Sequence, residues 1–390
     1  MLQRIRGLDG LRGIAVISVV AYHLDRNYLK GGFLGVDIFF VLSGFLITTI
    51  LIDEITRTAT LDRAAFYIRR IRRLFPALIA LLIASVIVAG FVAHDSAYAL
   101  RRDLPWALTF VLNLSYIFFN QSYFVNISRP PLLQHLWSLA IEEQFYIIWP
   151  IVLMTLYRLK RFSFRRLVFI AASVMAIAST VWMAILANRN SYPIPNDPSR
   201  LYFGTDTHAM GLLVGCALAA AVNLGKLNAR ITPDRKAFMN LLGLGSLLAL
   251  FIGLVKIDEF STALYRGGFL AISIVTGIVV ITLIHPGLKF GRALAHPILT
   301  WFGDRSYGMY IWHWPIFMLL RPGIDTTLPD SMTQALRIVL LLAISDVSYR
   351  YFEMPIRRGS LSRLSARWKQ HGIPRPNIVT GLLISLVVLV

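Results

Sequence analysis

The sequence predicts an all-α polytopic membrane bundle, and three observations predict it. Of 390 residues, 56% are hydrophobic and only 15% charged, where soluble domains average roughly 45–50% and about 25%. The apolar residues form long runs of the length a bilayer demands. The charges that remain are mostly basic, 39 Lys and Arg against 20 Asp and Glu for a net +19, and they gather in short segments between the runs. This combination excludes a disordered chain, a collagen-like chain and an ordinary cytosolic enzyme. It also excludes a nucleic-acid partner, because a basic nucleic-acid-binding domain carries its charge on a polar surface that this chain lacks. The one cysteine, Cys216, allows no disulfide framework within the chain.

A spanning helix needs about 20 mostly apolar residues. Such runs occur near 10–30, 33–52, 74–93, 102–119, 136–157 and 167–187, then near 203–224, 238–255, 265–284, 298–320, 335–353 and 377–390. Basic residues favour the cytoplasmic side, which tests the number of crossings. Segment 53–73 carries Arg57, Arg63, Arg69, Arg70, Arg72 and Arg73, and segment 158–166 carries Arg158, Lys160, Arg161, Arg165 and Arg166. Both should be cytoplasmic, yet three runs lie between them, and an odd number of crossings cannot join two segments on one side. The run 102–119, broken by Pro105 and holding Asn113 and Ser115, is therefore assigned as re-entrant or interfacial. Eleven crossings place the N-terminus in the cytoplasm and the C-terminus outside, with 25 of the 39 basic residues in inward segments and 10 in outward ones. The start does not read as a cleavable signal peptide, since no small-residue cleavage site follows and Tyr22-His23 interrupts the run. No internal repeat is evident, which weakens an inverted-repeat transporter reading.

Ionisable residues inside spans are costly, so each is a functional candidate. In the first span Arg12 and His23 lie eleven residues apart, on one helical stripe about 16 Å apart along the axis. A cation near the inner surface and an imidazole deeper in suit a long phosphorylated substrate entering from the cytoplasm. A snorkelling Arg and a satisfied buried His explain the pair equally well. The second span holds Asp37 and Ser43 among glycines at 31, 32, 35 and 44; packing explains the glycines but not Asp37, which could orient or pair with His23 or Arg12. Arg69 and Arg72 share a helix face at a spacing that suits phosphates, although the positive-inside signal alone would also place arginines there. Adjacent Glu142 and Glu143 sit just inside the outer end of the fifth span, one available to a hydroxyl or a His, the other to an Arg. The seventh span opens on the polar cluster Arg200 to His208, and His313 precedes Pro315 in another span. Asp346, Arg350 and Glu353 read as mutually neutralising.

Taken together these motifs resemble one family. Arg12-x10-His23, GGFLGVDIFFVLSGFLIT, Arg69-x-x-Arg72, LWSLAIEEQFYIIWP, DPSRLYFGTDT, SYGMYIWHWPIF and SYRYFEMPIRR stand in the order seen in the acyltransferase 3 family of integral membrane acyltransferases. The chain looks most like the N-terminal membrane part of bacterial peptidoglycan O-acetyltransferases. That resemblance implies a ten-helix membrane domain over 1–358, a basic cytoplasmic loop at 359–376 and the start of one further helix at 377–390. An extracytoplasmic SGNH-type domain would follow. It implies acetyl-CoA as the donor, used on the cytoplasmic side of the bacterial plasma membrane, and a cell-wall glycan as acceptor. Arg12, Arg69 and Arg72, with Ser43, would bind the CoA, and His23 would be the essential histidine. His208 departs from the Arg expected after GTDT, which puts an anion-binding role there in doubt.

The expected mechanism is relay of an acetyl group across the membrane. His23, tuned by Asp37 or by Glu142 or Glu143, would act as general base, with Tyr123 or Tyr202 as phenolic acyl carriers and His313 as a further candidate. No metal ion is expected. The acceptor could also be another envelope polysaccharide or glycolipid, or a small metabolite. A transporter of glycolipids or anions, and a non-catalytic scaffold, are the rivals from other classes; the transporter gives no reason for a CoA-sized basic inner mouth, and the scaffold would tolerate Ala at His23, Glu142 and Arg72 together.

Overall fold

The computed structural model describes residues 4–124, 129–159, 163–227 and 231–357. The expected basic loop and last helix, 359–390, lie outside the described residues. Sixteen α-helices are described, joined by short 3-10 and π turns, and no strand occurs among the described residues. They run α1 (Arg6–Leu24), α2 (Gly35–Thr58), α3 (Arg63–Phe91), α4 (Ala97–Leu108), α5 (Leu112–Phe118), α6 (Trp137–Arg158), α7 (Phe164–Arg189) and α8 (Ser199–Phe203). There follow α9 (Thr205–His208), α10 (Met210–Ala221), α11 (Pro233–Lys256), α12 (Phe269–Ile284), α13 (Phe290–Leu294), α14 (Pro297–Leu319), α15 (Asp330–Val347) and α16 (Met354–Arg357). Eight helical segments among the described residues, built on α1, α2, α3, α6, α7, α11, α12 and α15, are long and apolar enough to cross a membrane. The protein is an all-α polytopic membrane bundle.

Three of the expected spans differ in detail. Run 102–119 falls into α4 and α5, of 12 and 7 residues, with the chain turning at Phe110 (φ 55°). At 1.5 Å per residue these are about 18 and 10 Å long, too short for a hydrocarbon core of about 30 Å. Run 203–224 is not one helix either. Gly204 adopts extended backbone (φ −69°, ψ 123°), which separates α8 from α9 and leaves α10 only 12 residues long. Run 298–320 forms the 23-residue α14, whose Asp304, Arg305 and many aromatic residues set it apart from the eight.

The described residues divide into two compact units. The first comprises Met1–Leu61, Phe110–Val125 and Trp137–Ser306. Its core is α2, 78% of whose most apolar window is buried. Two glycines permit the α2–α10 crossing. A Cβ at Gly44 would stand 1.9 Å from the Leu212 carbonyl oxygen, and one at Gly215 would stand 2.2 Å from that of Val41. Only glycine lets these backbones approach so closely. Trp149 of α6 donates to Thr48 Oγ1 on α2 at 2.8 Å. The far faces of α7 and α11 expose Val174, Ile177, Val181, Leu241, Leu244 and Phe251. In water such stripes would be an aggregation hazard; in lipid they are the solvated surface.

The second unit comprises the described residues within Asp62–Thr109, Asn126–Leu136 and Tyr307–Val390. Asp62 caps α3 by accepting from the Ala65 amide at 2.9 Å, and Tyr307 donates to the Leu74 carbonyl within α3 at 2.8 Å. Buried Arg337 of α15 donates to the carbonyls of Phe317 and Leu320, both at 2.9 Å, satisfying the open C-terminal end of α14. Arg129 reaches Asp95 at 2.8 Å and Asp325 at 2.7 Å, and also donates to the Met318 carbonyl.

Candidate active site

His23 occupies the last turn of α1, half-buried, and its Nε2 lies 3.1 Å from the Tyr123 hydroxyl. Tyr123 follows α5, where its backbone amide donates to Ser199 Oγ at 2.8 Å, and Asp197 in turn holds that serine. The Tyr123 ring, 6% exposed, rests against Tyr202, with centroids 4.8 Å apart. Tyr202 is fully buried and packs on Trp137 at 4.5 Å and on His208 at 4.9 Å. Two expected carriers and the expected base thus stand in one aromatic cluster. Arg26 closes it on one side, paired with Glu259 at 2.8 Å and donating to the Phe124 carbonyl.

The break at Gly204 shapes this cluster. Ending α8 there frees carbonyls that the helix would otherwise bond. Thr207 Oγ1 donates to the Leu201 carbonyl at 2.7 Å, His208 Nδ1 to that of Tyr202 at 2.8 Å, and Asn113 Nδ2 to that of Phe203 at 3.0 Å. These three acceptors each receive a side-chain donor, so the irregular backbone is satisfied by the protein around it. The motif Gly204-Thr205-Asp206-Thr207-His208 therefore serves first as a terminator of α8.

Asp37 is where structure and sequence part. The expected partners were His23 or Arg12; instead Asp37 Oδ1 lies 2.9 Å from His208 Nε2, both side chains fully buried. The other oxygen, Oδ2, has no hydrogen-bond partner among the described residues. The reason is register: Asp37 heads α2 on the face toward α10, and the break at Gly204 turns His208 into that face.

Glu142 accepts from Ser43 Oγ at 2.9 Å through one oxygen and from Tyr146 at 3.2 Å through the other. Ser43, expected at the CoA, thus turns its hydroxyl to a carboxylate. Glu143 is half-buried on a different face of α6. One residue further, Gln144 donates to Asn113 Oδ1 at 2.9 Å and accepts from Thr205 at 2.6 Å, tying α5, α6 and α9 together. The sequence marks Asn113 only as a break in a run and His208 only as part of a polar cluster, and it gives Gln144 no role; the side-chain partners of all three come from the structure.

Arg12 sits near the start of α1, its guanidinium 3.7 Å from Asp9, which also binds Arg4 at 2.7 Å; Arg4 bonds Asp304 as well. In the second unit, Arg69 is exposed and Arg72 half-buried along α3, while Arg70 lies over the Phe66 ring at 5.8 Å. His313 is buried in α14, where its Nδ1 donates to the Tyr310 carbonyl at 2.5 Å. A second buried imidazole, His135, stands 5.6 Å from it ring to ring, held by the Ile311 carbonyl at 2.9 Å. Asp346 and Arg350 pair at 2.8 Å.

Residues 5–350 match the acyltransferase domain of the acyltransferase 3 family. The chain is 40% identical over 351 residues to peptidoglycan O-acetyltransferase OatA of Listeria monocytogenes, covering 90% of this chain and 55% of that protein. It is 38% identical over 371 residues to YrhL of Bacillus subtilis, provisionally named a peptidoglycan O-acetyltransferase, covering 95% and 57%. A Staphylococcus aureus protein provisionally named an O-acetyltransferase is 36% identical over 392 residues, covering 100% and 63%. The chain thus spans little more than half the length of the first two relatives. No solved structure matches it. With its motifs, its bundle and this match over nearly the whole sequence, the chain belongs to the acyltransferase 3 family of membrane proteins.

Proposed function

We propose that this protein is a membrane O-acetyltransferase that takes an acetyl group from cytoplasmic acetyl-CoA and delivers it across the bilayer for O-acetylation of cell-wall peptidoglycan. The observation that carries the reading is the His23–Tyr123 contact, 3.1 Å between ring nitrogen and phenol, half-buried at the end of a spanning helix. The names of the relatives point to the same chemistry, and the charge asymmetry along the sequence supports the cytoplasmic-to-outside direction. Arg12, about 16 Å along α1 from His23, supplies a cation for the donor's phosphates. Arg69 and Arg72 offer the same chemistry on α3.

In the first step the Tyr123 oxygen attacks the thioester carbonyl carbon while its proton passes to His23 Nε2. The carbon–sulfur bond breaks, and the departing thiolate takes that proton, leaving free CoA and an acetyl ester on Tyr123. An acceptor hydroxyl then attacks the ester carbonyl, and its proton returns through His23 to the phenolate. In this reading the acceptor is a carrier hydroxyl outside the membrane domain, on the SGNH-type domain that the family resemblance implies, which passes the acetyl group to the muramic acid hydroxyl. Ser43, Glu142 and Tyr146 form a hydrogen-bonded group for orienting a hydroxyl substrate.

The test is acetyl-CoA consumption by the full chain purified in detergent, with His23→Ala beside the wild type. The reading expects free CoA from the wild type and a loss of at least about 100-fold in the variant, with both proteins inserted and monodisperse. Equal rates would overturn it. Muropeptide mass spectrometry with and without the gene identifies the acceptor.

A further inference from the structure

We propose that the buried pair Asp37–His208 is the positioning element of this site, holding Tyr202 and through it Tyr123 against His23. The inference rests on the acyl-transfer reading of His23 and Tyr123. His208 links α2 to the broken stretch between α8 and α10 by side-chain bonds at both ring nitrogens. Nδ1 lies 2.8 Å from the Tyr202 carbonyl and Nε2 lies 2.9 Å from Asp37 Oδ1. A carbonyl can only accept, so Nδ1 carries a proton. A second proton must then lie between Nε2 and Oδ1, whichever atom holds it, because a bare nitrogen facing a bare carboxylate makes no hydrogen bond.

The surroundings leave this arrangement little freedom. Phe269, Tyr202, Trp137 and Phe40 enclose the imidazole at centroid distances of 4.6, 4.9, 5.5 and 5.8 Å. Buried polar groups in such a box must satisfy one another, which makes the hydrogen-bond pattern strict. His208 fixes the backbone of Tyr202 by its Nδ1 bond and the ring of Tyr202 by direct packing. The Tyr202 ring then backs the Tyr123 ring at 4.8 Å, and the Tyr123 hydroxyl meets His23 at 3.1 Å. Releasing Asp37 frees the imidazole to turn, and with it the support behind Tyr123.

Asp37→Asn and Asp37→Ala separate this role from simple packing. In Asp37→Asn the amide can donate to Nε2 while Nδ1 still donates to Tyr202, so each ring contact survives with one proton fewer. In Asp37→Ala the Nε2 contact is lost. For full chains that are monodisperse in detergent, the proposal expects Asp37→Ala to slow single-turnover CoA release about 100-fold, as a misplaced reacting group does, with the acetyl-CoA KM unchanged. Asp37→Asn should recover most of that loss. A second readout needs no activity: the rate at which diethyl pyrocarbonate modifies His23, followed by peptide mass spectrometry. Loss of Tyr123 from its post should speed that modification several-fold in Asp37→Ala and leave it near the wild-type rate in Asp37→Asn. Wild-type modification of His23 in Asp37→Ala, or an Asp37→Asn protein as impaired as the Ala protein, overturns the proposal. Protection of His23 that follows the expected pattern in a protein without CoA release would uphold the positioning role and sink the acyl-transfer reading instead.

Discussion

Ser43 Oγ donates across 2.9 Å to Glu142 Oε1, joining two helices at positions 99 residues apart. Tyr146 holds the other carboxyl oxygen from one turn away at 3.2 Å. Hydrogen bonds between membrane helices are worth about 0.6 kcal/mol on average and at most about 1.7. A double-mutant cycle of Ser43→Ala and Glu142→Ala, read by thermal unfolding in detergent, should show coupling of that size. Strict additivity would mean that the contact does not form in the folded protein.

The glycines at the α2–α10 crossing predict a sharper effect. Gly215→Ala would drive a methyl to 2.2 Å from the Val41 oxygen and 2.6 Å from the Phe45 nitrogen. Both are rigid backbone, so the helices must separate. Overpacking of this kind costs typically about 1–3 kcal/mol, occasionally more, and the yield of monodisperse protein should fall accordingly. Gly245→Ala on α11 is the control, since nothing lies within 4 Å of the added carbon. There the helix propensity gain of about 0.8–1.0 kcal/mol should appear unopposed.

Arg129 anchors a loop network whose pH dependence can be worked out in sign. Burial pushes the Asp325 carboxyl up, but hydrogen bonds from Arg321 and then Arg129 outweigh it and hold the group well below the usual carboxylate range. A depressed carboxylate stabilises the folded protein above its unfolded value, about 3.9, and that contribution is lost as pH falls through the folded value. The unfolding midpoint should therefore drop with acidification below about pH 4, and Asp325→Asn should flatten that part of the profile. At neutral pH Arg129→Ala should cost about 1.5–3 kcal/mol, the worth of hydrogen bonds to charged groups.

Much of this architecture is legible in the sequence because bilayers impose simple rules. Run length identifies the eight long apolar helical segments among the described residues, and the broken run 102–119 is short in the structure as α4 and α5; the break in 203–224 escapes the same reading. Periodicity along one helix places Arg12 and His23 on one stripe. The partner of Asp37 was not legible. It lies 171 residues away on a segment that hydropathy presents as one helix, and only the extended backbone at Gly204 turns His208 toward α2. Hydropathy averages over such breaks. Register between helices is likewise absent from single-helix periodicity, so neither the Gln144–Asn113–Thr205 network nor the packing of Tyr123 on Tyr202 could be read in advance.

Activation of Tyr123 by His23 is the step on which the proposed acyl transfer depends. It is tested most directly by peptide mass spectrometry of the full chain after incubation with acetyl-CoA, comparing wild type with His23→Ala and Tyr123→Phe. The expected result is an acetyl group on Tyr123 in the wild type and none in either variant. Wild-type acetylation of Tyr123 in His23→Ala, or undiminished acetyl transfer by Tyr123→Phe, would contradict it.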